Sequence, residues 1–228
     1  MNDLQIGEMH VYAAEPDQAP KAAIIVIQEI FGVNQGIKQK CMNWARDGYL
    51  AVAPDLFWRI KPGIDLDPDV PEQLEEAFGY FRRFGEQNGS DTAIVDIEAL
   101  IKRLHQQGIS KVGCVGYCLG GRLAYLAACR TDISASVGYY GVMIDQLLDE
   151  SHAIANPLML HIATADHFVG PDEQAAVHAG LDEHPKVTLH DYQGLDHGFA
   201  AETGSRRDDA GAKLADSRTA AFFAEHLC

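Results

Sequence analysis

Apolar residues along this chain come in two rhythms. Short continuous aliphatic runs alternate with longer stretches in which apolar side chains recur every three or four positions. The first rhythm belongs to strands buried on both faces of a mostly parallel sheet, the second to amphipathic helices packed on it. Residues 5–13 read as an opening strand, and Ala22-Ala23-Ile24-Ile25-Val26-Ile27-Gln28 as a doubly buried one. Residues 49–53, 111–115, 134–140, 157–162 and 186–192 supply the remaining strands. Between the second and third strands a helix starts at Asn34, carries Ile37, Cys41, Trp44 and Ala45 on one face, and ends at Gly48. Further helices are expected over 72–84, over 90–106 with Ser90 as cap, and over 119–130, 171–182 and 208–226. Residues 54–71, with Pro54, Pro62, Pro68, Pro71 and the acidic Asp65, Asp67 and Asp69, read as a long loop. Alternation of this kind predicts an α/β fold, a doubly wound and mostly parallel sheet flanked by helices. A length of 228 residues fits one such domain over 1–228.

One strand ends in a pattern that carries chemistry. Val112-Gly113-Cys114-Val115-Gly116-Tyr117-Cys118-Leu119-Gly120-Gly121 matches the nucleophile elbow G-x-S-x-G, with cysteine in the place of serine. The first glycine permits the sharp turn, and the second lets the following helix pack close to the strand. The residue between them is lifted clear of the sheet. Cys118 is therefore the candidate nucleophile. Asp166 follows the strand at 157–162, and His197 lies in a glycine-rich loop after the strand at 186–192. The order nucleophile, acid, histidine is that of the α/β-hydrolases. Imidazole can take the thiol proton and return it to a leaving group, while the carboxylate fixes the tautomer. Asp191 and Asp196 are alternative acids. The backbone N–H of Leu119 and a second N–H after the strand at 22–28 are expected to form an oxyanion hole. That second loop, Gln28-Glu29-Ile30-Phe31-Gly32, brings a carboxylate out of a buried strand, so Glu29 is a further candidate.

These stretches resemble the dienelactone hydrolase (carboxymethylenebutenolidase) family. The resemblance extends over Gln28 to Asn34, Pro54-Asp55-Leu56, Gly113 to Gly121, Gly138 to Val142, Asp166 to Val169 and Gly194 to Ala200. It implies an α/β-hydrolase fold and a Cys118-His197-Asp166 triad. Glu29 would contact the resting cysteine, Leu119 and Ile30 would supply the oxyanion amides, and the acyl-enzyme would be a thioester. It implies no metal and no organic cofactor. The chain departs from the family where two arginines would hold a substrate carboxylate, since the matching positions are Leu74 and Ala201. Arg82, Arg83, Arg206 and Arg207 are near in sequence but out of place. Without a bidentate clamp the pocket is expected to favour a neutral ester or lactone; the alternative is true dienelactone hydrolysis with an arginine recruited from elsewhere. By analogy its walls are Phe31, Phe57, Phe78, Phe81, Tyr139 and Phe199, with Leu74 and Ala201. An apolar cleft of that kind suits aryl or short acyl esters, and a neutral phosphotriester with a good leaving group also fits its chemistry.

Composition narrows the partners. Apolar residues make up 47% of the chain, enough for a large core. A net charge of −15 argues against a general nucleic-acid or anionic-membrane surface, so the partner expected is a small molecule. Five cysteines without framework spacing suit free thiols in a reducing cytoplasm. Met1 to Glu8 has neither the basic nor the apolar region of a signal peptide. The pattern offers no clear interface signal, so monomer and homodimer both stay open. Two other classes are compatible with the fold, a non-catalytic small-molecule receptor and a thiol redox sensor.

Overall fold

In the computed structural model, residues 4–202 and 204–228 are described; Met1–Asp3 of the opening stretch lie outside them. Eight strands form one sheet: β1 (Leu4–Ile6), β2 (Met9–Ala14), β3 (Ala23–Ile27), β4 (Leu50–Pro54), β5 (Val112–Tyr117), β6 (Ala135–Tyr139), β7 (Leu158–Ala163) and β8 (Val187–Tyr192). Their spatial order is β1-β2-β4-β3-β5-β6-β7-β8. The pairs from β4 through β8 are parallel, and only β1–β2 and β2–β4 are antiparallel. Six helices flank the sheet: α1 (Gln35–Arg46), α2 (Pro71–Glu86), α3 (Gly89–Gln106), α4 (Leu119–Arg130), α5 (Pro171–Leu181) and α6 (Asp209–Leu227).

The doubly buried reading of β3 has a direct cause. Its five residues are all fully buried, and the pleat sends alternate side chains to opposite faces. Ile25 and Ile27 join a core with Ile97, Leu100 and Leu104 of α3 and Leu123 of α4. Ile24 and Val26 join another with Ile37 and Trp44 of α1 and Phe223 of α6. The N-caps of α1 and α6 are local: Asn34 Oδ1 accepts from Ile37 N at 3.1 Å, and Asp208 Oδ1 accepts from Gly211 N at 2.7 Å.

Three expectations need correction. The single strand over 5–13 is a hairpin, because Gly7 turns at φ +59° and splits the run into β1 and β2. Ser90 does not cap α3. Asn88 does so in the left-handed conformation, φ 52°, and the helix begins at Gly89, where a β-carbon would collide with the Phe84 ring. A 3₁₀ segment over Asp145–Ala153, absent from the pattern reading, follows β6. The long loop before α2 is also tied down. Leu66 N donates to the Phe31 carbonyl at 3.0 Å, and Asn34 Nδ2 donates to the Leu66 carbonyl at 3.1 Å. This stitches the loop, and the start of α2 behind it, to the segment that carries Glu29 and Ile30.

Candidate active site

The candidate residues gather at the C-terminal ends of the parallel strands, the edge where α/β sheets build sites. Cys118 joins β5 to α4 with φ 55° and ψ −115°, a conformation non-glycine residues rarely adopt. Its N–H donates to the Tyr139 carbonyl at 3.0 Å, which pins the elbow to β6. The glycines around it are required by contact. A β-carbon on Gly116 would overlap the Gly120 carbonyl, and one on Gly120 would overlap the Ile27 carbonyl. Leu119 opens α4, so its N–H has no intrahelical acceptor. Neither it nor the Ile30 N–H donates to another backbone group among the described residues. Both are available to a developing oxyanion.

His197 and Asp166 form a buried pair, Nδ1 to Oδ2 at 2.8 Å, with side chains 2% and 1% exposed. Asp166 Oδ1 also accepts from Phe168 N at 2.8 Å and Val169 N at 3.1 Å, so the acid is held on both oxygens. His197 Nε2 is buried and lacks a hydrogen-bond partner in the resting geometry among the described residues. Burial by itself pushes the His197 pKa down. The electrostatic interaction with Cys118 and the bond to Asp166 outweigh burial and raise it to about 10. The alternative acids have other work. Asp196 accepts from His197 N and from His167, and Asp191 accepts from His178. Asp166, His167 and Asp196 each bring one ligand atom within 4.8 Å of the others, the arrangement in the site able to approach a cation.

Cys118 and His197 open into a cavity of about 190 Å³. Glu29, Ile30, Phe31, Leu74, Phe78 and Phe81 line it. Glu29 is in contact with the cavity yet crowded by protein atoms, so burial raises its pKa against the lowering charges of His197, Arg206 and Lys40. No hydrogen bond joins its carboxyl to Cys118 among the described residues. Four expected wall residues are elsewhere. Phe57 is fully buried against Phe84, ring centroids 5.3 Å apart. Tyr139 points to the α6 face, where its hydroxyl donates to Asp216 Oδ1 at 3.0 Å and pairs with Thr219 Oγ1 at 2.6 Å. Phe199 packs behind, between Tyr140 and Tyr192. Ala201 turns back, its N–H on the Gly198 carbonyl at 2.9 Å.

Their places are taken by Val142, Met143, Phe168 and Arg206. Tyr140, not Tyr139, adjoins the His197–Asp166 pair: its ring lies 4.8 Å from that of His197 and its buried hydroxyl lacks a partner among the described residues. The difference arises at the strand end: β6 stops at Tyr139, and Tyr140 follows it with a positive φ of 38°. Arg206 corrects the expectation of a pocket without a cation. The left-handed Gly198 (φ +80°) leaves room for its side chain to lie across the loop, with Cδ 3.3 Å from where a β-carbon would stand. Position along the chain gave no hint of this. A larger cavity, about 660 Å³, sits at the opposite edge of the sheet beside Lys21 and Gly48, which precede β3 and β4.

The profile of the dienelactone hydrolase family matches residues 9–227, nearly the whole chain. The chain belongs to the dienelactone hydrolase family. An Azospirillum brasilense relative, provisionally named a carboxymethylenebutenolidase, is 38% identical over 233 residues, with all of both chains covered. The carboxymethylenebutenolidase of Pseudomonas putida is 36% identical over 227 residues, covering 97% of this chain and 94% of that one. Among solved structures, a dienelactone hydrolase-like promiscuous phosphotriesterase from metagenomic libraries superposes with a TM-score of 0.75 at 18% identity, covering 97% of this chain and 100% of that one. The fold is that of the α/β-hydrolases, and the family is one of hydrolases acting on small molecules. No helix among the described residues is long and apolar enough to cross a membrane.

Proposed function

We propose that this protein is a cysteine-dependent hydrolase of small activated esters or lactones that works through a thioester. The observation that carries this reading is the elbow itself. Cys118 stands at the start of α4 beside the free N–H of Leu119, next to the buried His197–Asp166 pair. The Cys118 thiol passes its proton to His197, the thiolate attacks the acyl carbon, and the carbonyl π-electrons move to oxygen, where the Leu119 and Ile30 amides donate to the oxyanion. Collapse breaks the bond to the leaving oxygen, which takes the proton from His197. His197 then removes a proton from water, the hydroxide attacks the thioester, and sulfur leaves as thiolate. Asp166 holds the ring throughout. Glu29, half-turned to the same cavity and drawn toward its neutral form, is assigned control of the resting thiol. Five free thiols fit a cytoplasmic location.

The lining is mainly apolar, which favours aryl or short acyl esters and leaves room for a neutral phosphotriester with a good leaving group. Arg206 favours a second reading, in which a carboxylated lactone of the kind named by the curated relatives is accepted. A burst of p-nitrophenol from p-nitrophenyl acetate, lost in Cys118→Ala, is the expected result. Retained ligand binding without any burst would instead make the protein a receptor. A panel of neutral aryl esters, phosphotriesters and carboxylated lactones then separates the readings. Preference for carboxylated lactones by orders of magnitude, lost in Arg206→Leu, would select the second.

A further inference from the structure

The cavity at Cys118 does not end in solid core. Met143 and Phe81 line it and also line a second cavity of about 490 Å³ behind them. The charged residues there are Arg82, Glu86, Asp91, Arg122 and Arg130, from α2, α3 and α4. Arg130 is already neutralised, bonded to Asp91 at 2.7 Å and to both oxygens of Glu150 at 2.6 Å. Arg122 is not. Among the described residues it has no carboxylate partner. Its Nε is buried without a hydrogen bond, and its Nη1 donates to the Met143 sulfur at 3.4 Å. A thioether is a weak acceptor for a guanidinium. Burial, with the nearby charge of Arg130, holds the Arg122 pKa below the usual arginine value against the raising charges of Asp91 and Asp145. A half-buried cation left this way costs free energy, and an incoming anion would recover it.

Its position is close to the chemistry. Arg122 N donates to the Cys118 carbonyl at 3.2 Å, so the guanidinium springs from the first turn of α4 after the nucleophile. The side chains of Met143 and Phe81 border both cavities. Met143 lies in a loop where it and Tyr140 both hold positive φ, 59° and 38°. Methionine is unbranched and adapts readily to a new neighbour. A change of its rotamer would open the partition and release the guanidinium together.

We infer that Arg122 receives the carboxylate of a substrate whose acyl chain reaches past Met143, so that monoesters of short dicarboxylic acids are among the substrates. This rests on the hydrolase reading above. Arg122 is at neither position where the family resemblance expects an arginine. It is also distinct from Arg206, which packs on Gly198 near Glu29 and does not line the second cavity.

The test compares the p-nitrophenyl monoester of glutarate with p-nitrophenyl valerate, its uncharged counterpart. In Arg122→Leu the ratio of kcat/KM, charged to uncharged, should fall about tenfold or more, the range for a lost charged hydrogen bond. Arg122→Lys should recover part of it, since a point charge replaces a planar fork. An unchanged ratio overturns the proposal. So does a ratio that falls in Arg206→Leu but not in Arg122→Leu. Binding of monomethyl glutarate to Cys118→Ala protein, followed by calorimetry, decides the matter independently of turnover. Its Kd, relative to that of dimethyl glutarate, should rise about tenfold when Arg122→Leu is added; no rise overturns the proposal. If no ester shows Cys118-dependent turnover, the hydrolase reading fails and the calorimetry still tests the anion site. Arg122→Gln replaces the leucine variant if that one does not fold.

Discussion

Cys118 pays for its exposure with backbone strain of about 1–3 kcal/mol, the usual cost of such a conformation outside glycine. The strain is held by the Cys118 N–H on the Tyr139 carbonyl and by the packed glycines on either side. His197 has a folded pKa of about 10 against an ordinary 6.5, so the folded state binds its proton more tightly. Stabilisation from this group is full below about pH 6.5 and is lost as pH rises through about 10. Since the interaction with Cys118 is the largest raising influence, Cys118→Ala should move the His197 midpoint down. An NMR titration of the ring in both proteins checks this, and coincident midpoints would contradict the assignment. At this scale the sequence was informative about Cys118, Asp166 and His197, because an elbow and two strand-end loops are local patterns. It was silent about Tyr140, whose relevance depends on which way one side chain of a pair faces.

The elements position these residues by close approach. The Gly120 α-carbon lies so near β3 that a β-carbon would reach the carbonyls of Ile27 and Gln28, the latter at 2.6 Å. Both are backbone atoms and cannot swing aside. Gly120→Ala should therefore destabilise the protein by about 1–3 kcal/mol and displace the segment that leads from Gln28 to Ile30. Urea unfolding and the p-nitrophenol burst measure the two effects; a stability change within error would show that the approach is less tight than described. Most elements were readable because burial on two faces and helical periodicity leave different marks. The hairpin at Gly7 and the start of α3 at Gly89 escaped. In each case the decisive fact is a backbone angle or the neighbouring Phe84 ring, not an apolar period.

For the whole molecule, 33 acidic against 18 basic side chains leave a surface that repels itself. Lys40 shows the local remedy: nearly buried, it pairs with Glu202 at 3.0 Å and Asp216 at 3.3 Å and lies over the Tyr117 ring. Screening acts mainly on the remaining exposed charges. Thermal unfolding in low and in moderate salt should accordingly give a higher Tm in salt. A lower Tm would mean that exposed ion pairs outweigh the repulsion. The charge of the pocket is another property of the whole. Arg206 reaches it from the turn before α6, and Arg122 stands behind Met143, so the absence of arginine at Leu74 and Ala201 does not leave the region without cations.

The sequence by itself determined the strand and helix alternation, the elbow with Cys118 at its apex, the chain order of the candidate residues that gather there and the family. Each is set by residues adjacent in the chain, through backbone geometry, side-chain periodicity or a short motif. Tertiary structure alone decided which aromatic rings face the substrate and which arginines do. Tyr139, Phe57 and Phe199 were buried elsewhere, while Val142, Met143, Phe168 and Arg206 came in. A wall is made where separate segments meet, and the direction of each side chain there is fixed only once the sheet has brought those segments together.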